Sequence, residues 1–143
     1  MSMFKIFDVS ASAVSAQSQR LNVVASNLAN ADTVAGPDGQ AYKARQVVFQ
    51  TALMGAGKGL GNSGDSAAGV TVSTITEDQT PGRRVHDPKH PAADAEGYVT
   101  FSNVNAVEEM VNMISASRSY QNNIEVMNTA KTLLQKTLQM GQG

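Results

Sequence analysis

The stretch "AVEEMVNMISASRSYQNNIEVMNTAKTLLQKTLQM", Ala106 to Met140, decides the fold. Met113, Tyr120, Met127 and Leu134 stand seven apart. Met110, Ser117, Ile124, Lys131 and Leu138 form a neighbouring row at the same spacing, and Ile114 and Ala130 fill in between. A seven-residue apolar recurrence marks a helix that packs through a narrow seam, as in a coiled coil. Asn105 and Glu108 have capping-box-like spacing at its start, with Asn in the capping place. Gly141 supplies the stop. A helix of about 35 residues spans roughly 50 Å at 1.5 Å per residue, more than the width of a small compact domain.

The other end of the chain carries a matching seam. Phe7, Val14, Leu21 and Leu28 recur every seven residues, and Ala11, Val24, Ala25 and Ala31 widen the stripe. This helix should end before Pro37, Asp38 and Gly39, which are strong turn formers. Both helices have polar faces rich in amides and poor in charge, including Asn22, Asn27, Asn30, Asn112 and Asn123. Amides can hydrogen-bond across an interface without burying charge. Two narrow seams, one of them very long, point to helices that complete their packing in an assembly. A helical hairpin inside a small globular domain is the plainer alternative.

The middle has a different character. Tyr42 to Gln50 and Val70 to Asp78 are β-branched and read as strands, and Gly97 to Phe101 reads as a third short one. "TPGRRV", Thr80 to Val85, follows the second strand and reads as a turn. Gly55 to Gly69 is glycine-rich and reads as a flexible loop. The expected class is therefore α+β: two long terminal helices forming a coiled-coil-like pair, with a small β-rich insert and a flexible Gly-rich loop between them. The boundaries fall at 1–35, 36–105 and 106–143, with the loop at 55–69 and a Pro-rich connector at 86–97.

Composition narrows the function. The chain has 143 residues, a formal net charge of −1, no cysteine and no tryptophan. Near-neutral charge gives no reason to expect a nucleic-acid partner. Lack of cysteine removes disulfides, thiol catalysis and thiolate metal sites. Aromatics are 5% of the chain, so little apolar area is available for a core, and part of the stability is expected from partners. No apolar run has the length of a signal-peptide core, so any export is expected to proceed without a cleaved signal.

Two constellations resemble chemistry. "GLGNSG", Gly59 to Gly64, matches a dinucleotide fingerprint but lacks the strand before and the helix after, so no cofactor is expected. His86, Asp87, His90 and Asp94 are the best candidates for a metal or acid–base site. His86 and His90 are four apart, but Pro88 and Pro91 deny them the helix that would bring them together. In the structural reading Asp87 and Asp94 accept backbone N–H groups in turns. No catalytic residue, no metal and no small-molecule substrate are expected.

Further residues carry a resemblance. "VVASNLANADT", Val23 to Thr33, resembles the A-N-N-L-A-N-x-x-T signature of flagellar rod and hook proteins. "AYKARQVVF" follows where that family has its GYKA/R segment. "DPKHPAADAEGYV" and the helix after it resemble the C-terminal half of the small proximal-rod members. Ser26 stands where the signature has Asn. Ser102 stands where the pattern has Pro, which implies a less rigid approach to the C-terminal helix.

The resemblance implies a structural subunit of the proximal rod of the bacterial flagellar basal body, polymerised through its terminal helices into a helical drive shaft. It implies export through the flagellar type III apparatus. The implied partners are copies of itself, other rod proteins and the basal-body ring, and the implied location is the rod that spans the periplasm. The expected assembly interface comprises Leu21, Asn27, Leu28 and Asn30 in the first helix. In the second it comprises Met110, Met113, Ile114, Tyr120, Ile124, Met127, Leu134 and Leu138, with Arg118 as an intersubunit contact or a solvated charge. Asp87, His90 and Tyr98 of the connector are expected to meet neighbours.

Overall fold

A computed structural model describes residues 3–54 and 67–142. Its elements, in order, are α1 (Met3–Ala29), β1 (Arg45–Met54), β2 (Ala67–Glu77), β3 (Arg84–His86), β4 (Tyr98–Thr100) and α2 (Ala106–Gly141). The class is α+β, with two helices and two antiparallel two-stranded sheets, β1–β2 and β3–β4.

α2 begins where its capping residues predict. The Asn105 side chain accepts from the backbone N–H of Val107 at 3.1 Å and of Glu108 at 3.4 Å. Glu108 and Glu109 follow in the first turn, where the helix dipole favours negative charge. Gly141 is the last helical residue rather than the stop, and Gln142 closes the end. No described helix is long and apolar enough to cross a membrane.

The helices run antiparallel. The end of α1 meets the start of α2 through Asn27 and Glu109. The start of α1 meets the second half of α2, where Met3 and Ile6 share a groove with Val126, Ala130 and Leu133. α2 has 36 residues and α1 has 27, so α2 outruns its partner by nine. That difference is about 13 Å of helix, and it lies at the C-terminal end.

The row Met113, Tyr120, Met127 and Leu134 is half-buried, as its spacing predicts. Its companion differs from expectation. The row turned inward is Glu109, Ala116, Asn123 and Ala130, one residue earlier than Met110, Ser117, Ile124, Lys131 and Leu138. Met110 and Leu138 are 55% and 60% exposed. Small side chains on the inner row let the helix backbones approach closely.

The β1–β2 hairpin packs along α1. Ser12 Oγ accepts from Val70 N–H at 3.0 Å, and Asn27 holds Arg45. β1 starts at Arg45 rather than Tyr42, because the Tyr42 and Ala44 polar groups are turned to Asn27 at the end of α1 and to Asn103 just before α2. The register slips between Val48 and Phe49, leaving Ser73 of β2 as the extra residue of a bulge. Of the expected loop at 55–69, Ala67 to Gly69 belong to β2. Residues 55–66, including the GLGNSG motif, lie outside the described residues.

The second sheet corrects the turn expected in "TPGRRV". Arg84 to His86 form β3, paired with β4 through Arg84–Thr100, Val85–Val99 and His86–Tyr98. Gly82 makes this possible, since a Cβ there would run into the Phe101 carbonyl oxygen.

Candidate functional site

Three chain segments meet where α1 ends, and amide side chains join them. Asn27 is fully buried. Its Nδ2 donates to the Arg45 carbonyl at 2.8 Å and to Glu109 Oε2 at 3.1 Å. Its Oδ1 accepts from Arg45 N–H at 3.0 Å and from the Tyr42 hydroxyl at 3.0 Å. An asparagine offers two donors and two acceptor lone pairs, so this side chain is saturated. The Asn27 amide thus meets four partners within its own chain. Asn30 is half-buried and makes one such bond, its Nδ2 donating to the Ser26 carbonyl at 2.8 Å.

Asn103 makes a second junction. Its Oδ1 accepts from Ala44 N–H at 2.6 Å, and its Nδ2 donates to the carbonyls of Asp78 and Thr80, each at 2.9 Å. It thus holds both ends of the β1–β2 hairpin to the start of α2. Ser102 adds a third tie. It is buried, its hydroxyl donates to the Ala31 carbonyl at 2.6 Å, and its N–H donates to the Thr33 carbonyl at 3.1 Å. A looser approach to α2 was expected from Ser102; these two bonds anchor it instead.

The connector forms an exposed elbow. Asp94 Oδ1 accepts from the N–H groups of Tyr98 at 2.8 Å and Glu96 at 3.0 Å, and Arg84 donates to its Oδ2 at 2.9 Å. The Tyr98 backbone bond above all, helped by Glu96 and Arg84, holds the Asp94 carboxyl below its ordinary value. The Arg84 guanidinium also lies 4.7 Å from the centre of the Tyr98 ring, and the His86 ring meets that ring edge-on at 5.0 Å. Asp87 accepts from Lys89 N–H at 3.3 Å, and His90 Nδ1 accepts from Ala92 N–H at 3.1 Å. Each member of the suspected cluster is thus occupied in a turn or a strand. Among the described residues no group of three His, Asp or Glu side chains is placed to hold a metal ion.

The exposed apolar groups concentrate on α2. Val107, Met110, Val111 and Ile114 are between 55% and 71% exposed, and Leu133, Leu138 and Met140 follow near the other end. Contiguous exposed apolar surface is a common feature of protein interaction sites. Arg118 is exposed and has no ion pair among the described residues. Leu21, Leu28, Met113, Tyr120, Ile124, Met127 and Leu134 are half-buried.

Comparison with known proteins gives the family. The sequence is 56% identical to the flagellar basal-body rod protein FlgC of Yersinia enterocolitica over 142 residues, covering 99% of this chain and 100% of that protein. The chain belongs to the FlgC family of flagellar basal-body rod proteins. FlgC of Salmonella typhimurium (strain LT2) is 54% identical over 142 residues, with the same coverage. FlgC of Bacillus subtilis (strain 168) is 41% identical over 152 residues, covering 99% of both chains.

Two family profiles also match. One described as "Flagella basal body rod protein" covers residues 7–37, and one described as "Flagellar basal body rod FlgEFG protein C-terminal" covers residues 95–140. In this FlgC-family chain those two stretches meet at the junction just described. The first supplies Asn27, Asn30, Ala31 and Thr33; the second supplies Ser102, Asn103, Asn105 and Glu109. Sequence reasoning missed Asn103 and Glu109 as organising residues. The partners of Asn103 are backbone atoms far along the chain, which leave no local pattern. Glu109 reads as an ordinary first-turn acid.

Proposed function

We propose that this chain is a non-enzymatic structural subunit of the proximal rod of the flagellar basal body, polymerising through α1 and α2 into a helical drive shaft. The observation that carries this reading is full-length identity to FlgC rod proteins from several bacteria. The outer face of α2 and its unmatched C-terminal turns supply surface for neighbouring subunits. Repeated contacts of one kind that do not close on themselves build a helix. The coiled-coil-like pairing of the two helices continues in this reading into the polymer, with segments 1–35 and 106–143 inside. The insert, 36–105, faces outward; the connector at 86–97 offers Asp87 and His90 to neighbours, and Tyr98 beside it does the same.

The partners are further copies of the chain, other rod proteins and the basal-body ring. Delivery is by the flagellar type III apparatus without a cleaved signal. Nothing in this role needs a cofactor, a nucleic acid or a small-molecule substrate. Isolated basal bodies, probed with an antibody to this chain, test the reading. The full-length chain should co-purify with the rod and keep its N-terminal residues. A chain found wholly in the cytoplasmic fraction, bound to exported substrates, would make it an adaptor instead.

A further inference from the structure

We infer that the Asn27–Glu109 pair sets the rotation of α2 about its own axis, and so decides which face of that helix is turned outward. The half-buried row Met113, Tyr120, Met127 and Leu134 can be accompanied inward by either of two neighbouring rows. One contains Glu109, Ala116, Asn123 and Ala130; the other contains Met110, Ser117, Ile124, Lys131 and Leu138. At 3.6 residues per turn, rotating the helix by roughly 50° exchanges them. Apolar burial favours the second row, with its Met, Ile and Leu. The structure takes the first: Ala116 and Ala130 are 0% and 5% exposed, and Glu109 is 8% exposed.

The hydrogen bond from Asn27 explains the choice. A buried carboxylate is costly unless a donor is fixed in place to meet it. Asn27 is such a donor, because Tyr42 and both backbone groups of Arg45 hold its amide from the other side. It cannot follow a rotating α2. Arg20 and Arg45 line the groove over Glu109, but Arg20 reaches Asn112 and Arg45 pairs with Glu77. The consequence is that Met110 is left outside, where it adjoins the exposed Val107, Val111 and Ile114. A polar contact inside the helix pair thus specifies the apolar surface outside it. This is a property of the folded chain and stands whether or not the rod reading holds.

The chain has no cysteine, so single introduced thiols report the rotation cleanly. Purified full-length chain carrying Met110→Cys or Ala116→Cys is labelled with a maleimide. In the parent background Met110→Cys should react fast and Ala116→Cys slowly. Adding Asn27→Leu strands the Glu109 carboxylate, and α2 should turn to release it. Labelling at Ala116→Cys should then rise roughly tenfold or more, the usual worth of a hydrogen bond to a charged group, and labelling at Met110→Cys should fall. Adding Glu109→Leu to Asn27→Leu should keep the swapped pattern, since no polar pair then opposes burial of the row with Met110, Ile124 and Leu138.

Where Asn27→Leu yields no folded chain, Glu109→Asp is read in the same way. It shortens the carboxylate out of reach while leaving the bonds from Asn27 to Tyr42 and Arg45. A parent-like pattern in a helical single variant overturns the inference, as does a parent-like pattern in the double variant, where the pair is absent and the rotation is unchanged.

Discussion

Asn27 shows how much one side chain can hold. Its four hydrogen bonds join α1 to the strand that follows it and to α2. Asn27→Ala should lower the unfolding free energy by about 3 kcal/mol, because several buried groups lose their partner at once. Urea denaturation at constant slope is the check. Asp94 makes a prediction of a different kind. Its folded pKa lies below the unfolded carboxylate value of about 4. Its contribution is therefore present above that value and is lost as pH falls through the lower folded one. Amide exchange at Tyr98 should speed up in that acid window, and Asp94→Asn should remove the pH dependence. At this scale the sequence was only partly legible. Asn27 stood out as an amide on a polar face, but its partners include the backbone of Arg45 and a carboxylate 82 residues away, which no local spacing encodes. The turn role of Asp94 was readable, because Asp accepting N–H groups two and four residues on is a local habit.

Helix α2 was legible because it advertises its own limits. Asn105 before two acids predicts its start, and Asn105→Ala should cost about 1 kcal/mol, read as a lowered thermal midpoint with unchanged helical signal below it. The inner row was not legible. Ala116, Asn123 and Ala130 carry little hydrophobic signal, whereas Met110, Ile124 and Leu138 of the neighbouring row stand out by hydropathy, although Met110 and Leu138 are exposed. Strand β3 escaped for another reason. Three residues after Gly82 and Arg83 are too few to show alternation, and pairing with β4 is a tertiary fact. Gly82→Ala tests that pairing: a methyl group driven into the Phe101 carbonyl should destabilise by about 2 kcal/mol and loosen the amides of Arg84 to His86 in hydrogen exchange.

The molecule as a whole carries an exposed apolar stripe on its longest element. Ile114→Asp and Leu138→Asp should leave urea stability nearly unchanged, since both side chains are more than half exposed. Both should nevertheless remove the chain from isolated basal bodies. Leu134→Asp, on the half-buried row, should lower stability as well. If the first two variants assemble normally, the outer face of α2 is not the interface. The α+β class and the two terminal helices were readable from end to end, because seven-residue spacing is repeated many times. The way three segments tie together at one junction was not, because it rests on single amides. The outer stripe of α2 has one last consequence, for solution behaviour. Val107, Met110, Val111 and Ile114 carry no charge, and the whole chain is nearly neutral. Subunits joined through such a surface should hold their association when sodium chloride screens charge, tighten in sulfate, and loosen on chilling, as water's aversion to hydrocarbon fades.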